Sequence, residues 1–163
     1  MRPSFLKNIG IKSEKDSDEL RSCITIHRPA ETLFDLWRKP ETLPVLMNHF
    51  ATIDILNYTD SLWRVNTPFG ALIEWRARIV DEKKGVYIHW RSLEGARIPN
   101  EGRLSFRASP TGHGTEVTLT IRFDPPGGLL GRKISQMFDV LSKDMLTKTL
   151  QRFKNLAEND VNS

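Results

Sequence analysis

The chain has 163 residues, 39% of them hydrophobic, and its 24 Lys and Arg against 20 Asp and Glu give a formal net charge of +4 at pH 7. No stretch approaches the ~18 apolar residues of a membrane-spanning helix, and the single Cys23 excludes an intramolecular disulfide and a cysteine-built metal site. We therefore expect one domain in the reducing cytoplasm, with at most a weak peripheral contact with anionic membrane surfaces.

The N-terminal region is predicted to be a polar tail followed by one strand and two short helices. Residues 1 to 19 end in the run KSEKDSDEL, which has no sustained period, so we assign them to a tail or arm and place the domain at residues 20 to 158. In the run SCITIH, Ile24 and Ile26 alternate with Thr25, as in a half-buried strand. The next run, RPAETLFDLWRKPETLPVLMNHF, has helical spacing of apolar residues, but Pro40 and Pro44 forbid one continuous helix.

From about residue 51 to 123 the apolar residues recur at every second position, and turn residues separate the runs. This pattern predicts six consecutive antiparallel strands. The runs are ATIDILNY, SLWRVN, ALIEWRARIV, GVYIHWRS, EGRLSFRAS and TEVTLTIRF. After DPPGG, apolar residues at intervals of three or four predict a helix of about 30 residues that ends near Glu158 and is roughly 45 Å long.

The run IEWRARIVDEKKGVYIHWRS is predicted to be a hairpin whose loop length decides which side chains share a face. A loop of two or four residues keeps the apolar side chains together. They are Trp75, Ala77 and Ile79 on the first strand and Val86, Ile88 and Trp90 on the second. A three-residue loop would place Ile79 on the face of His89, so we expect a two- or four-residue loop.

The same alternation gives every strand one apolar face and one charged face. The charged face is predicted to carry Arg76, Arg78, Tyr87, His89, Arg91, Arg103, Arg107 and Arg122, with Glu74 and Glu116 among them. This face could serve as a platform for RNA or an anionic membrane. Solvated cross-strand pairs with Glu74 and Glu116 explain it more simply, and no specific nucleic-acid partner is expected.

The chain resembles the START-like polyketide cyclase/dehydrase superfamily, also called SRPBCC, and its bacterial cyclase/dehydrase-like branch in particular. The resemblance spans about residues 20 to 158 and is carried by these runs: ITIHRPAETLFDLWRKPETLPVLM, LWRV followed by IEWRARI, IHWRS, GRLSF, GTEVTLTIRFDPPGG and LQRFKNLAE. It implies the α+β helix-grip fold, in which a curved antiparallel sheet of about seven strands wraps around the long C-terminal helix, and two short helices follow the first strand. It also implies a cavity between sheet and helix for a lipid, isoprenoid or polyketide-like molecule.

Candidate ligand-binding residues are those whose predicted orientation is toward this cavity. They are Met47, Phe50, Trp63, Trp75, Trp90, Asn100, Phe106, Met137, Leu141 and Met145. The indoles combine a large apolar area with one N–H donor, although the same residues would also suit an ordinary aromatic core without a void. Asn100 shares the parity of Leu104 and Phe106, which favours a polar contact at the cavity mouth, and its place after Pro99 equally suits a turn.

The sequence offers no recognisable catalytic group, metal site or cofactor motif. His27, His49, His89 and His113 lack metal-ligand spacing, there is no G-x-S-x-G elbow, and Cys23 has outward parity. We therefore predict a binding protein, a carrier or sensor of a hydrophobic small molecule. Two alternatives remain open: a polyketide cyclase or dehydrase that uses the same cavity, and an interaction module that uses the basic sheet face on a membrane surface or RNA.

Overall fold

The computed structural model describes residues 19–66, 72–123 and 143–159. They form an α+β domain with seven strands, two short helices after the first strand and one C-terminal helix, so the predicted helix-grip architecture is confirmed. The elements are β1 (Glu19–Ile26), α1 (Ala30–Arg38), α2 (Thr42–Leu46), β2 (Ala51–Ile55), β3 (Asp60–Asn66), β4 (Leu72–Lys83), β5 (Tyr87–Ser92), β6 (Asn100–Ala108), β7 (Thr115–Phe123) and α3 (Lys143–Asn159).

The seven strands form one antiparallel sheet in the order β1-β7-β6-β5-β4-β3-β2. The six strands β2 to β7 follow one another as neighbours, and β1 pairs with β7. Alternate side chains of every strand are buried on the concave face, because the helices cover only that face. The sheet therefore has one apolar face and one wet face, as its alternating sequence predicts.

Pro40 separates α1 from α2 by restricting the backbone of the residue before it. Lys39, which precedes Pro40, has an extended backbone with φ −66° and ψ 134°, because the proline ring disfavours the helical conformation at the residue before it. The Thr42 hydroxyl at the start of α2 donates to the Leu36 carbonyl oxygen over 2.6 Å. The same carbonyl also accepts the Lys39 backbone N–H over 3.2 Å, so the Thr42 bond is a second one that joins the start of α2 to the end of α1.

The β4–β5 hairpin differs from the prediction in its loop and agrees with it in its faces. Lys83 pairs with Tyr87, which leaves a three-residue turn, and the exclusion of such a loop was wrong. A β-bulge between Ile79 and Asp81 adds one residue to β4 and restores the phase, so that Ile79 lies opposite Trp90. Val86, expected on the apolar face, lies exposed in the turn.

The described part of the C-terminal helix is α3, which buries Leu146, Leu150, Phe153 and Ala157. Two hydrogen bonds join it to β1. The Thr147 and Ser22 hydroxyls lie 2.8 Å apart, and the Lys154 ammonium donates to the Thr25 carbonyl oxygen over 2.9 Å. The first half of the predicted 30-residue helix and nearly all of the predicted tail lie outside the described residues. No helix in the described ranges combines the length and apolarity needed to cross a membrane.

The outer face of the sheet is occupied by cross-strand ion pairs. Arg64 donates to Asp54 over 2.8 Å and to Glu74 over 2.9 Å, and Arg107 pairs with Glu116. The predicted pairing of Glu74 and Glu116 with the arginines of this face is therefore confirmed. Exposed pairs of this kind contribute little to stability.

Candidate ligand-binding site

Three indoles from three strands line the concave face. Trp63 and Trp75 lie directly opposite each other on β3 and β4, with ring centroids 5.6 Å apart and planes 17° apart. The Trp63 ring N–H donates to the Ser61 hydroxyl over 2.9 Å. Trp90 of β5 faces Trp37 of α1 in a stacked arrangement at 6.4 Å. The predicted inward orientation of these rings is therefore confirmed, and α1 adds a fourth indole that the sequence analysis did not assign to the site.

The indole of Trp90 reaches its position because its neighbour on β6 is a glycine. Trp90 and Gly102 are direct partners in the ladder, and a Cβ built on Gly102 would overlap the indole ring. The ring therefore lies across the backbone of β6, where any other residue would displace it.

One cavity on the concave face, called the principal cavity below, has a volume of about 80 Å³ and lies between the α1–α2 connection and strands β2 to β5. Its apolar walls are Trp37, Pro40, Leu43, Ile55, Trp63, Ala77, Ile79, Ile88 and Trp90, and its polar lining is Arg38, Lys39, Asn57, Tyr58, Thr59, Asp60, Ser61 and Arg78. Pockets for small-molecule ligands usually measure about 300–1,000 Å³. A ligand of that class must therefore push the walls apart as it enters.

Asp60 anchors the turn that closes one side of this cavity. Its carboxylate accepts two hydrogen bonds from the Arg78 guanidinium, at 2.7 and 2.8 Å, and a third from the Thr59 hydroxyl at 2.8 Å. The bonds from Arg78, the largest effect, hold the pKa of the Asp60 carboxyl well below its usual range. Asp60 is consequently ionised at neutral pH and fastens the β2–β3 turn to β4.

A second, smaller cavity lies deeper on the concave face. Its volume is about 10 Å³, and it is lined by Phe50, Trp63, Trp75, Trp90, Asn100, Ile121 and Phe123. Asn100 is the first residue of β6 and only 7% exposed; its side-chain amide donates to the Ile98 carbonyl oxygen over 3.0 Å. A space of this size holds one water molecule at most, so these side chains form closely packed core in the described residues.

The remaining predicted ligand-binding residues are dispersed. Met47 is fully buried with its sulfur 3.7 Å from the Thr149 hydroxyl, and Phe106 packs against Phe34 with ring centroids 6.2 Å apart; neither lines the two cavities. Met145 borders an open groove beside His49. Met137 and Leu141 lie outside the described residues.

The titratable groups that sequence reasoning considered for chemistry lie away from the principal cavity. His49 sits between α2 and α3, where burial lowers its pKa, and its ring lies 3.4 Å from both the Met145 carbonyl oxygen and the Thr149 hydroxyl. Cys23 is exposed, and the described residues contain no group of three or more His, Cys, Asp or Glu side chains that could hold a metal ion.

Comparison with known proteins places this arrangement in a family. The family model described as polyketide cyclase / dehydrase and lipid transport matches residues 26–149. The chain belongs to this family. The matched segment runs from the end of β1 into α3 and so includes the whole principal cavity. No curated protein matches the chain by sequence.

Solved structures of similar proteins share the fold of this member of the polyketide cyclase/dehydrase family. A protein from Deinococcus radiodurans is 34% identical, with 84% of this chain and 94% of that chain aligned at a TM-score of 0.65. A protein from Thermus thermophilus is 20% identical over 89% of this chain and 99% of its own, with a TM-score of 0.66. The Zhui aromatase/cyclase from a Streptomyces species is 17% identical over 89% of this chain and 96% of its own, at 0.67. The last two share the fold.

Proposed function

We propose that the protein binds a hydrophobic small molecule, a lipid, isoprenoid or polyketide-like compound, in the principal cavity, and acts as its carrier or sensor. The observation that carries the proposal is an apolar cavity on the concave face, walled by the indoles of Trp37, Trp63 and Trp90. The family description, which includes lipid transport, and the fold shared with an aromatase/cyclase support an apolar ligand.

Binding would be driven by removal of apolar ligand surface from water. Each 100 Å² of such surface buried contributes about 2.5 kcal/mol before the entropic cost of association is subtracted. Because the cavity holds about 80 Å³, a larger ligand has to separate the α1–α2 connection from β4 and β5. The stacked pair of Trp37 and Trp90 spans that junction, so occupancy should change the intrinsic indole fluorescence.

The test is to purify the protein, examine it by native mass spectrometry, and identify any bound compound by organic extraction. A panel of lipids and aromatic polyketide-like compounds is then screened by thermal shift, because a ligand that binds only the folded state raises the melting temperature. We expect a bound mass, or a shift that depends on ligand concentration. Repeated absence of both would contradict the proposal.

A cavity-filling variant makes the test specific. Ala77 is buried in the cavity wall, so Ala77→Leu should fill the space and weaken binding at least ten-fold while the protein stays folded. Ala108→Leu, at an exposed position of β6, is the matched control and should bind normally. Equal binding by both variants would place the ligand elsewhere.

Catalysis remains the alternative proposal for the same cavity. General acid–base chemistry needs a group that can exchange a proton near neutral pH. The carboxyl in the lining, Asp60, is held ionised by Arg78, which favours binding over turnover. A reaction product formed by the wild type and not by Ala77→Leu would support the enzyme instead.

A further inference from the structure

We infer that the principal cavity selects amphipathic acids. The apolar body of the ligand lies among the indoles, and a carboxylate or similar oxyanion is held by Arg38 and Lys39, whose part of the lining we call the mouth. The inference rests on the proposed function and adds the chemical class of the ligand. It comes from the hydrogen bonding of Arg38 and from the balance of charges around the mouth.

The Arg38 side chain is mostly buried, and only some of its N–H groups have a hydrogen-bond partner. Its side chain is 13% exposed and lines the cavity. Nε donates to Glu82 Oε1 over 2.9 Å, Nη2 donates to the Tyr58 carbonyl oxygen over 3.1 Å, and the guanidinium carbon lies 4.2 Å from the centre of the Tyr58 ring. Nη1 has no hydrogen-bond partner among the described residues. Two of the five N–H groups are therefore used, and three remain for a ligand oxygen, both of those on Nη1 among them.

The charges at the mouth leave one cation without a partner. The Glu82 carboxylate is paired with Arg38, and the Asp60 carboxylate is paired with Arg78. Lys39 follows Arg38 in the chain, lines the same cavity and is exposed, and within the described ranges no carboxylate lies at ion-pairing distance from it. A single negative charge on the ligand would therefore neutralise the mouth, whereas a cationic ligand would add to the excess.

The two cations can act on one ligand group in complementary ways. A guanidinium forms directional hydrogen bonds with a carboxylate, and an ammonium adds a nearby point charge. An alcohol of the same chain length could accept a bond from Nη1 but would gain nothing from Lys39. The geometry therefore predicts a preference that depends on ligand charge and not on ligand length.

The experiment compares three ligands that share one apolar chain: decanoate, 1-decanol and decylammonium. Binding to the full-length protein is measured by calorimetry and indole fluorescence below the micellar concentration. We expect decanoate to bind most tightly, with an affinity that falls as salt is added, because exposed charges are screened. The affinity of 1-decanol should not depend on salt.

Variants of Arg38 and Lys39 test whether these two cations cause the preference for decanoate. Lys39→Gln should weaken decanoate binding about three-fold, with no change for 1-decanol. Arg38→Gln should weaken decanoate binding about ten-fold or more, with a smaller loss for 1-decanol, which loses only the hydrogen bond from Nη1. Lys148→Gln, an exposed lysine of α3 outside the cavity lining, is the control and should match the wild type. If Arg38→Gln fails to fold, the charge reversal Lys39→Glu provides the test and should weaken decanoate binding further than Lys39→Gln.

The outcomes separate this inference from the proposed function. Equal affinity for decanoate and 1-decanol, or a decanoate preference unchanged in Lys39→Gln and Arg38→Gln, would overturn the inference and leave hydrophobic binding intact. Tightest binding of decylammonium would overturn it as well, because Glu82 and Asp60 would then dominate the mouth. Failure of all three ligands to bind would count against both proposals.

Discussion

At the scale of single residues, the pairing of Trp90 with Gly102 shows how a missing side chain shapes the site. The indole lies over the β6 backbone, where a Cβ on Gly102 would overlap it. Trp90 lines both cavities, so the glycine indirectly sets the position of a cavity wall. No local pattern in the sequence marks Gly102 for this role, because its partner is known only once the ladder register is known.

We expect Gly102→Ala to lower the free energy of unfolding by about 1–3 kcal/mol, since the methyl group would force the ring of Trp90 to move. Chemical denaturation measures the change. The control is the same substitution in a Trp90→Phe background, where the smaller ring leaves room and Gly102→Ala should cost at least about 1 kcal/mol less. Equal costs in the two backgrounds would show that the Trp90 ring is not what the methyl group meets.

Asn100 shows why a single residue can satisfy two predictions. Its backbone N–H donates to the Ser92 hydroxyl over 2.9 Å and its side chain to the Ile98 carbonyl oxygen, so it ties the β5–β6 connection together as a turn residue would. It is also buried beside the indoles, as its parity indicates. A role for Asn100 in ligand binding stays a prediction.

At the scale of elements, the β4–β5 hairpin shows the limit of counting residues. Alternation correctly placed Trp75, Ile79 and Trp90 on one face, because burial tolerates no other phase. The loop length was wrong because an uninterrupted ladder was assumed, whereas the bulge at Val80 supplies the extra residue. The bulge also puts Glu82 opposite the inward-facing Ile88, and from there Glu82 reaches Arg38 of α1.

We expect deletion of Val80 to be tolerated. Val80 is 44% exposed, and without it Ile79 still pairs with Trp90 and Asp81 with His89, now in a regular ladder. The deletion should cost no more than about 2 kcal/mol and leave the indole fluorescence near that of the wild type.

Deletion of Thr120, in the regular ladder of β7, is the control for Val80. It would join Leu119 directly to Ile121, both of which are buried on the concave face. Because strand side chains alternate between faces, the deletion would move either Leu119 or Ile121, and every side chain beyond it in the strand, to the opposite face of the sheet. This variant should therefore fail to fold. A folded Thr120 deletion, or an unfolded Val80 deletion, measured by circular dichroism, would contradict the phase argument.

At the scale of the whole molecule, aromatic contacts join elements that are distant in the chain. Phe153 of α3 meets the edge of Trp37 of α1 with ring centroids 5.1 Å apart and planes 88° apart, and Trp37 in turn stacks on Trp90 of β5. The helix, the short helices and the sheet therefore share one core. The cavity lies beside this contact, so its shape depends on all three layers.

We expect Phe153→Ala to lower the free energy of unfolding by about 3–5 kcal/mol, because a fully buried ring is removed from this shared core. Leu156→Ala on the same helix, where the side chain is 38% exposed, should cost only about 0.5 kcal/mol. Denaturation curves of the two variants make the comparison. Similar small losses for both would mean that the contact with Trp37 contributes little to stability.

The amino-acid sequence by itself determined which side chains face the core, because strand and helix periods act over neighbouring residues and burial rejects the wrong phase. It also specified the end of α1, since Pro40 restricts Lys39 wherever the helix packs. The tertiary structure alone decided that Trp37 faces Trp90 and that the principal cavity lies beside the α1–α2 connection with Arg38 in its lining. These features join residues about 20 to 50 positions apart, whose meeting depends on register, bulges and helix docking that no local pattern encodes.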